Sequence, residues 1–191
     1  MKLAIIGHSY ISDLKERFEG SEIVVENTRF EVSFFGWRGA TFFTFLHNHR
    51  LLDSVISYNP DYLIVYLGGN DLKAQADLSI VKQNCRNFYQ LLRQRLPTTC
   101  IIASQVELRF HGEKNKFDAP LVEHYKLLRR YLNKFILSLK CKDFLLRVES
   151  SGRLDNQRLY RDSVHLNSVG LNHLFKLMKD CLSYCYRNKR L

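Results

Sequence analysis

Four separated stretches of the chain carry residues suited to acyl transfer. "IIGHS" ends in Gly7, His8 and Ser9, "GWRGAT" holds Gly39, "LGGND" holds Asn70, and "RDSVHLNSVG" holds Asp162 and His165, three residues apart. A serine hydroxyl becomes a competent nucleophile when a neutral imidazole within hydrogen-bond reach takes its proton. That imidazole needs an acceptor to fix its tautomer and stabilise its charged form, and His165 with Asp162 supplies both parts. An oxyanion forming on the attacked carbonyl then needs donors already aimed at it. Glycine lets backbone N–H groups approach closely and an asparagine carboxamide can add one more, which is the use open to Gly39 and Asn70.

Such residues act together only if the fold gathers them. Lys2 to Ile6 is a short apolar run, and Ile11 to Phe18 has helix-compatible spacing, so the chain begins strand, loop, helix. The order repeats: Glu31 to Phe35 predicts a strand, Thr41 to Tyr58 a helix, and Tyr62 to Leu67 a strand apolar on both faces. Ser79 to Leu96 predicts a helix ending at Pro97, and Cys100 to Val106 another buried strand. Leu121, Tyr125, Leu128, Leu132, Phe135 and Leu139 form one helical stripe, Phe144 to Val148 a fifth strand, and Leu171 to Cys185 a closing helix. Alternating strands and helices imply right-handed crossovers. The expectation is an α/β fold, a three-layer α/β/α sandwich around a five-stranded parallel sheet. Ligands of such sheets sit at the carboxyl ends of the strands, beside the switch in strand order. Each of the four stretches falls at such an end or just before the last helix.

With 191 residues the chain predicts one domain, residues 1–186, followed by a basic tail, 187–191. Five cysteines without a C-x-x-C pair suggest reduced thiols, with Cys181 and Cys185 packing as small hydrophobes one helical turn apart. The formal charge of +10 attracts polyanions, although the basic residues are scattered along the chain. The start of the chain lacks the apolar length of a signal peptide and no stretch approaches a membrane span, so the expected compartment is the cytoplasm.

In these blocks and their order, from Ile5 to about Leu177, the chain resembles the SGNH hydrolases, also called the GDSL esterase/lipase family. The resemblance implies that family's flavodoxin-like fold. It also implies Ser9 as nucleophile, an oxyanion hole of Ser9 N–H, Gly39 N–H and the Asn70 side chain, and Asp162 with His165 completing a triad. The implied reaction is hydrolysis of a short acyl ester on a lipid, sugar or polymer, through an acyl-serine and without metal or organic cofactor. One departure stands out: His8 occupies the place of the family's first-block aspartate. That aspartate is not the triad acid, so the expected consequence is altered orientation of the Ser9 loop, where a shift of about 1 Å can cost roughly a hundredfold in rate. His8 itself is a poor base for Ser9, because neighbouring residues leaving a strand point in different directions.

Ordinary roles compete with these readings. Ser9 can be a helix cap, Asn70 and Asp71 turn residues, and Gly39 a position needing positive φ. His47 and His49, two apart on one helix, diverge by about 200° and cannot share a metal. His111, His124 and His173 read as surface or half-buried residues. The basic connection Arg109 to Pro120, with Lys114 and Lys116, suits either an anionic head group or plain solvation. Two other functions fit the pattern. One is a binding module of the same fold, its chemistry weakened, that holds RNA, DNA or anionic membrane; esterase-like domains in the first open reading frame of certain animal non-LTR retrotransposons look similar. The other is a flavodoxin-like nucleotide or flavin binder, which the absence of a G-x-G-x-x-G after the first strand and of a P-loop lysine disfavours.

Overall fold

The structure, a computed structural model, describes residues 1–72, 76–107, 119–147, 157–162 and 165–188. Its centre is made by the continuous apolar runs: β1 (Lys2–Gly7), β4 (Tyr62–Tyr66) and β5 (Cys100–Ser104) are buried along their length apart from Lys2. Residues of β1 alternate between two cores, Leu3 and Ile5 facing one and Ala4 and Ile6 the other, as the two-residue period of a strand requires. On the first face lie α1 (Ser9–Phe18) and α6 (Ser168–Asn188). On the second lie α2 (Phe42–His47), α3 (His49–Tyr58), α4 (Leu78–Arg95) and α5 (Ala119–Ser138). The three-layer architecture expected from the alternation is present.

The sheet differs from expectation in one respect. With β2 (Glu22–Val25), β3 (Thr28–Gly36) and β6 (Phe144–Leu146) it has six strands in the order β2-β3-β1-β4-β5-β6. Every pairing is parallel except β2 with β3, so the expected five-stranded parallel sheet is corrected to a mixed one with an antiparallel edge. The hairpin turn between them places Glu26 at φ 54°, a left-handed conformation more often marked by glycine or asparagine. A second correction concerns residues 41–58. They form two helices that meet at Asn48 (φ −103°, ψ 87°), so His47 and His49 belong to different helices and the one-helix reason for separating them falls. Among the described residues no group of His, Cys, Asp and Glu is arranged to hold a metal ion.

All five thiols are free, and Cys85, Cys100 and Cys185 are buried. Helix α6 continues through Asn188, with Arg187 Nε 3.4 Å from Glu26 Oε1. Among the described residues no helix is long and apolar enough to cross a membrane.

Because β3 and β4 flank β1, the winding reverses at β1. Gly7 pairs in register with Gly36 on one side and Tyr66 on the other, so the loops leaving all three strands open side by side. Close packing explains both glycines. A Cβ on Gly36 would collide with Ser12 N of α1, and one on Gly7 would collide with the Tyr66 carbonyl. Helix α1 therefore seats directly on the strand ends.

Candidate active site

Ser9 is the first residue of α1. His8 stands at the N-cap and its side chain makes no capping bond, so Ser9 does not fill the ordinary capping role. Ser9 is half-buried, and its Oγ makes no hydrogen bond among the described residues. The carbonyl of His8 accepts from Ile11 N at 2.9 Å and Ser12 N at 3.3 Å. The amides of Ser9 and Tyr10 thus lie at the open, positive end of the helix, where an anion is favoured.

The loop after β3 is built around Gly39, whose φ of 78° agrees with its ordinary reading as a turn glycine. Trp37 N donates to the Gly7 carbonyl and Ala40 N closes back onto the Trp37 carbonyl, each at 3.0 Å. The loop after β4 then grips it. Asn70 Nδ2 donates to the Ala40 carbonyl at 3.0 Å, and Asp71 Oδ1 accepts from Phe42 N at 3.1 Å, at the start of α2. A carboxamide nitrogen has two hydrogens, so the bond to Ala40 is compatible with donation to an anion as well.

Ahead of α6 the chain pairs its acid and imidazole. Asp162 Oδ2 lies 2.9 Å from His165 Nδ1, while Oδ1 accepts the His165 backbone N–H at 2.6 Å. With Nδ1 facing a carboxylate, the ring carries its proton there and leaves the Nε2 lone pair available. Local bonds brace the segment. Arg161 N donates to the His165 carbonyl at 2.9 Å, Tyr160 bridges Leu166, and Asn167 Oδ1 caps α6 by accepting from Val169 N and Gly170 N at 3.0 Å.

Beneath Ser9 the His8 ring is buried against Tyr10 and Tyr66, at centroid separations of 4.8 and 5.5 Å. Its Nε2 is 3.8 Å from Glu107 Oε1, and both side chains are almost wholly enclosed. Burial pushes the Tyr66 hydroxyl well above its usual range, and the nearby charge of Glu107 pushes the same way. A carboxylate stands under the Ser9 loop, and it comes from Glu107, after β5.

The fold thus places Ser9, Gly39 and Asn70 just beyond the ends of three adjacent strands and joins Asp162 to His165; no hydrogen bond links Ser9 Oγ to the His165 ring among the described residues. His124 is exposed and His173 half-buried, whereas His111 and the connection 109–118 lie outside the described residues. Sequence reasoning missed Asp13, whose carboxylate meets Arg38 and Arg161, together with Glu107 and Asn167. The Asn before an amphipathic run was a readable cap signal, but the other two act on partners far away in the chain.

Fold and site together define a class, the α/β/α hydrolases of SGNH type. Residues 8–171 match the GDSL-like Lipase/Acylhydrolase family, and the chain belongs to it. Among solved structures it is similar to the acetyl xylan esterase AlAXEase, with 20% identity, 93% of this chain and 98% of that one covered, and a TM-score of 0.62. A GDSL-like lipase from Bacteroides thetaiotaomicron is 13% identical over 98% of this chain and 88% of its own, with a TM-score of 0.66. Axe2, an acetylxylan esterase from Geobacillus stearothermophilus, is 17% identical over 93% and 91%, with a TM-score of 0.62. No curated protein matches the sequence.

Proposed function

We propose that the protein is a serine esterase that hydrolyses short acyl esters of a lipid, carbohydrate or other acylated alcohol. The observation that carries this reading is the Asp162–His165 pair, 2.9 Å apart at Nδ1, in a chain whose Ser9 starts a helix at the reversal point of the sheet. In the first step His165 Nε2 takes the Ser9 proton as Oγ bonds to the ester carbon. The tetrahedral oxyanion is met by Ser9 N–H, Gly39 N–H and Asn70 Nδ2. His165 then returns the proton to the departing alcohol, and water, activated by the same ring, releases the acid from the acyl-serine. The acetyl xylan esterases among the similar folds make acetyl esters on sugars a reasonable first substrate panel. The test is hydrolysis of p-nitrophenyl acetate together with fluorophosphonate labelling, compared between wild type and Ser9→Ala. Turnover and labelling lost in the variant support the reading; a wild-type protein that does neither defeats it.

A second reading is favoured by charge placement. Of the Lys and Arg side chains on α4 and α5, Arg129 is buried and Arg93, Arg95 and Lys126 pair with carboxylates, which leaves Lys82, Arg86, Arg130 and Lys134 outside the core and outside any ion pair among the described residues. There Lys82 lies 5.8 Å over the Tyr131 ring and Arg86 lies 5.2 Å over Phe135. A cationic face with aromatic rings suits a polyanion such as nucleic acid or an anionic membrane, whether or not the ester chemistry operates. Binding that weakens steeply with added salt supports it, and no binding at physiological salt counts against it.

A further inference from the structure

Asp13 lies four residues after Ser9, one turn further along the same face of α1. It belongs to none of the four blocks, yet it touches two of them. Its side chain is only 5% exposed, and each carboxylate oxygen meets a different guanidinium: Oδ1 is 2.9 Å from Arg38 Nη2, and Oδ2 is 3.4 Å from Arg161 Nη2. Arg38 immediately precedes Gly39 and Arg161 immediately precedes Asp162. Arg38 also reaches Glu16 on the next part of α1, at 3.2 Å.

This is an unusual economy of contacts. A buried carboxylate is stable only if opposite charge or several donors replace its water. Here the compensating charge is drawn from the two loops that must be held at fixed distances from Ser9. The arginine side chains are about half exposed, 56% and 51%, so each keeps contact with solvent while its Nη2 reaches the buried carboxylate. The chain separations spanned, 25 and 148 residues, are far longer than any local bond could bridge.

We infer that Asp13 is a positioning residue, a carboxylate clasp that holds the Gly39 loop and the Asp162–His165 segment in register with the Ser9 helix. The inference rests on the esterase reading, since it assigns the clasp to the spacing of those three parts. It predicts that the variants keep substrate binding and lose rate. The clasp acts through Arg38 and Arg161 and touches no reacting atom.

The full-length protein tests it in two arms. In the first, Asp13→Asn, Arg161→Gln and the double variant are assayed with p-nitrophenyl acetate. Asp13→Asn should lower kcat by about 10- to 100-fold, the scale of a misplacement near 1 Å, with KM little changed. The double variant should be no slower than Asp13→Asn alone, because both substitutions open the same contact. In the second arm, amide hydrogen exchange is followed in the same variants on a Ser9→Ala background. Exchange should quicken at residues 37–41 and 161–166 and stay as it was in β1 and β4. An unchanged kcat, losses that multiply, or faster exchange spread evenly through the sheet would each overturn the clasp. If the wild-type protein cleaves no ester, the esterase reading fails and the exchange arm alone decides the clasp. If Asp13→Asn does not fold, Arg38→Gln and Arg161→Gln, at half-exposed side chains, carry both readouts.

Discussion

The Ser9 end and the Asp162–His165 end of the candidate site are held by different means. Ser9 leaves a strand buried on both faces, above His8 at 1% exposure, with α1 pressed so closely on the sheet that Gly7 and Gly36 admit no side chain. Asp162 and His165 are 50% and 34% exposed and sit among local hydrogen bonds, with the Arg161–Asp13 contact as the long-range tie to α1. The first region takes its geometry mainly from packing, the second from polar contacts. Substitutions should therefore fail differently in the two. At the packed end a change of volume or charge should destabilise the whole domain, and at the exposed end it should remove chemistry while leaving the fold intact.

The largest effects should come from the residues to which the proposed esterase reaction assigns the chemistry. Ser9→Ala or His165→Ala should cost about 10⁴- to 10⁶-fold in kcat, and Asp162→Asn about 10⁴-fold, with melting temperature nearly unchanged. Circular dichroism melts beside the ester assay separate the two quantities. If Asp162→Asn instead unfolds the protein, the exposed end is less independent than its contacts imply.

Next comes the packed end. His8→Asp restores the family's usual residue, yet here it sets a second carboxylate against buried Glu107. Two such groups cannot both ionise without large cost, and we expect about 3 kcal/mol of lost stability in urea denaturation. Adding Glu107→Gln should recover part of the loss. Full stability in His8→Asp alone would show that Glu107 is not His8's counterpart.

A smaller effect should follow from Asn167→Ala, which removes the cap of α6. It should cost about 1 kcal/mol and slow ester cleavage modestly by loosening the segment that ends at His165. Stability is read by urea denaturation, and a loss of stability with ester cleavage unchanged would separate the cap from the site.

The smallest and most gradual change is with alkali. Burial pushes Tyr62 up to about 12 and holds Tyr66 and Tyr89 well above their ordinary value of 10.0. The unfolded chain ionises these phenols first, so their contribution is fully present below pH 10 and is lost as pH rises from there, through about 12 for Tyr62. Burial also pushes the Cys85 and Cys141 thiols above their ordinary value of 9.0, so urea midpoints measured from pH 8 to 11 should begin to fall near pH 9 and fall further beyond pH 10, and a flat profile would contradict the enclosure of these groups.

The sequence showed β1, β4 and β5 plainly, because strands covered on both faces must be apolar throughout. It hid β2, a four-residue edge strand whose turn uses Glu26 where a glycine would have announced a hairpin. It also hid the break at Asn48, which has no proline or glycine beside it. For the candidate site, Ser9, Gly39, Asn70, Asp162 and His165 could be picked out because loops at strand ends carry chemistry in this architecture. Asp13 and Glu107 could not. Inside a helix or after a strand, an acid looks like any other charged residue until its distant partners are placed around it.

The central claim is that one hydroxyl, at Ser9, is activated by the Asp162–His165 pair. Peptide mapping of the fluorophosphonate-treated protein by mass spectrometry tests this most directly. A single adduct on Ser9 that disappears in His165→Ala is the predicted result. An adduct on another residue, or a Ser9 adduct formed equally well without the imidazole, would contradict it.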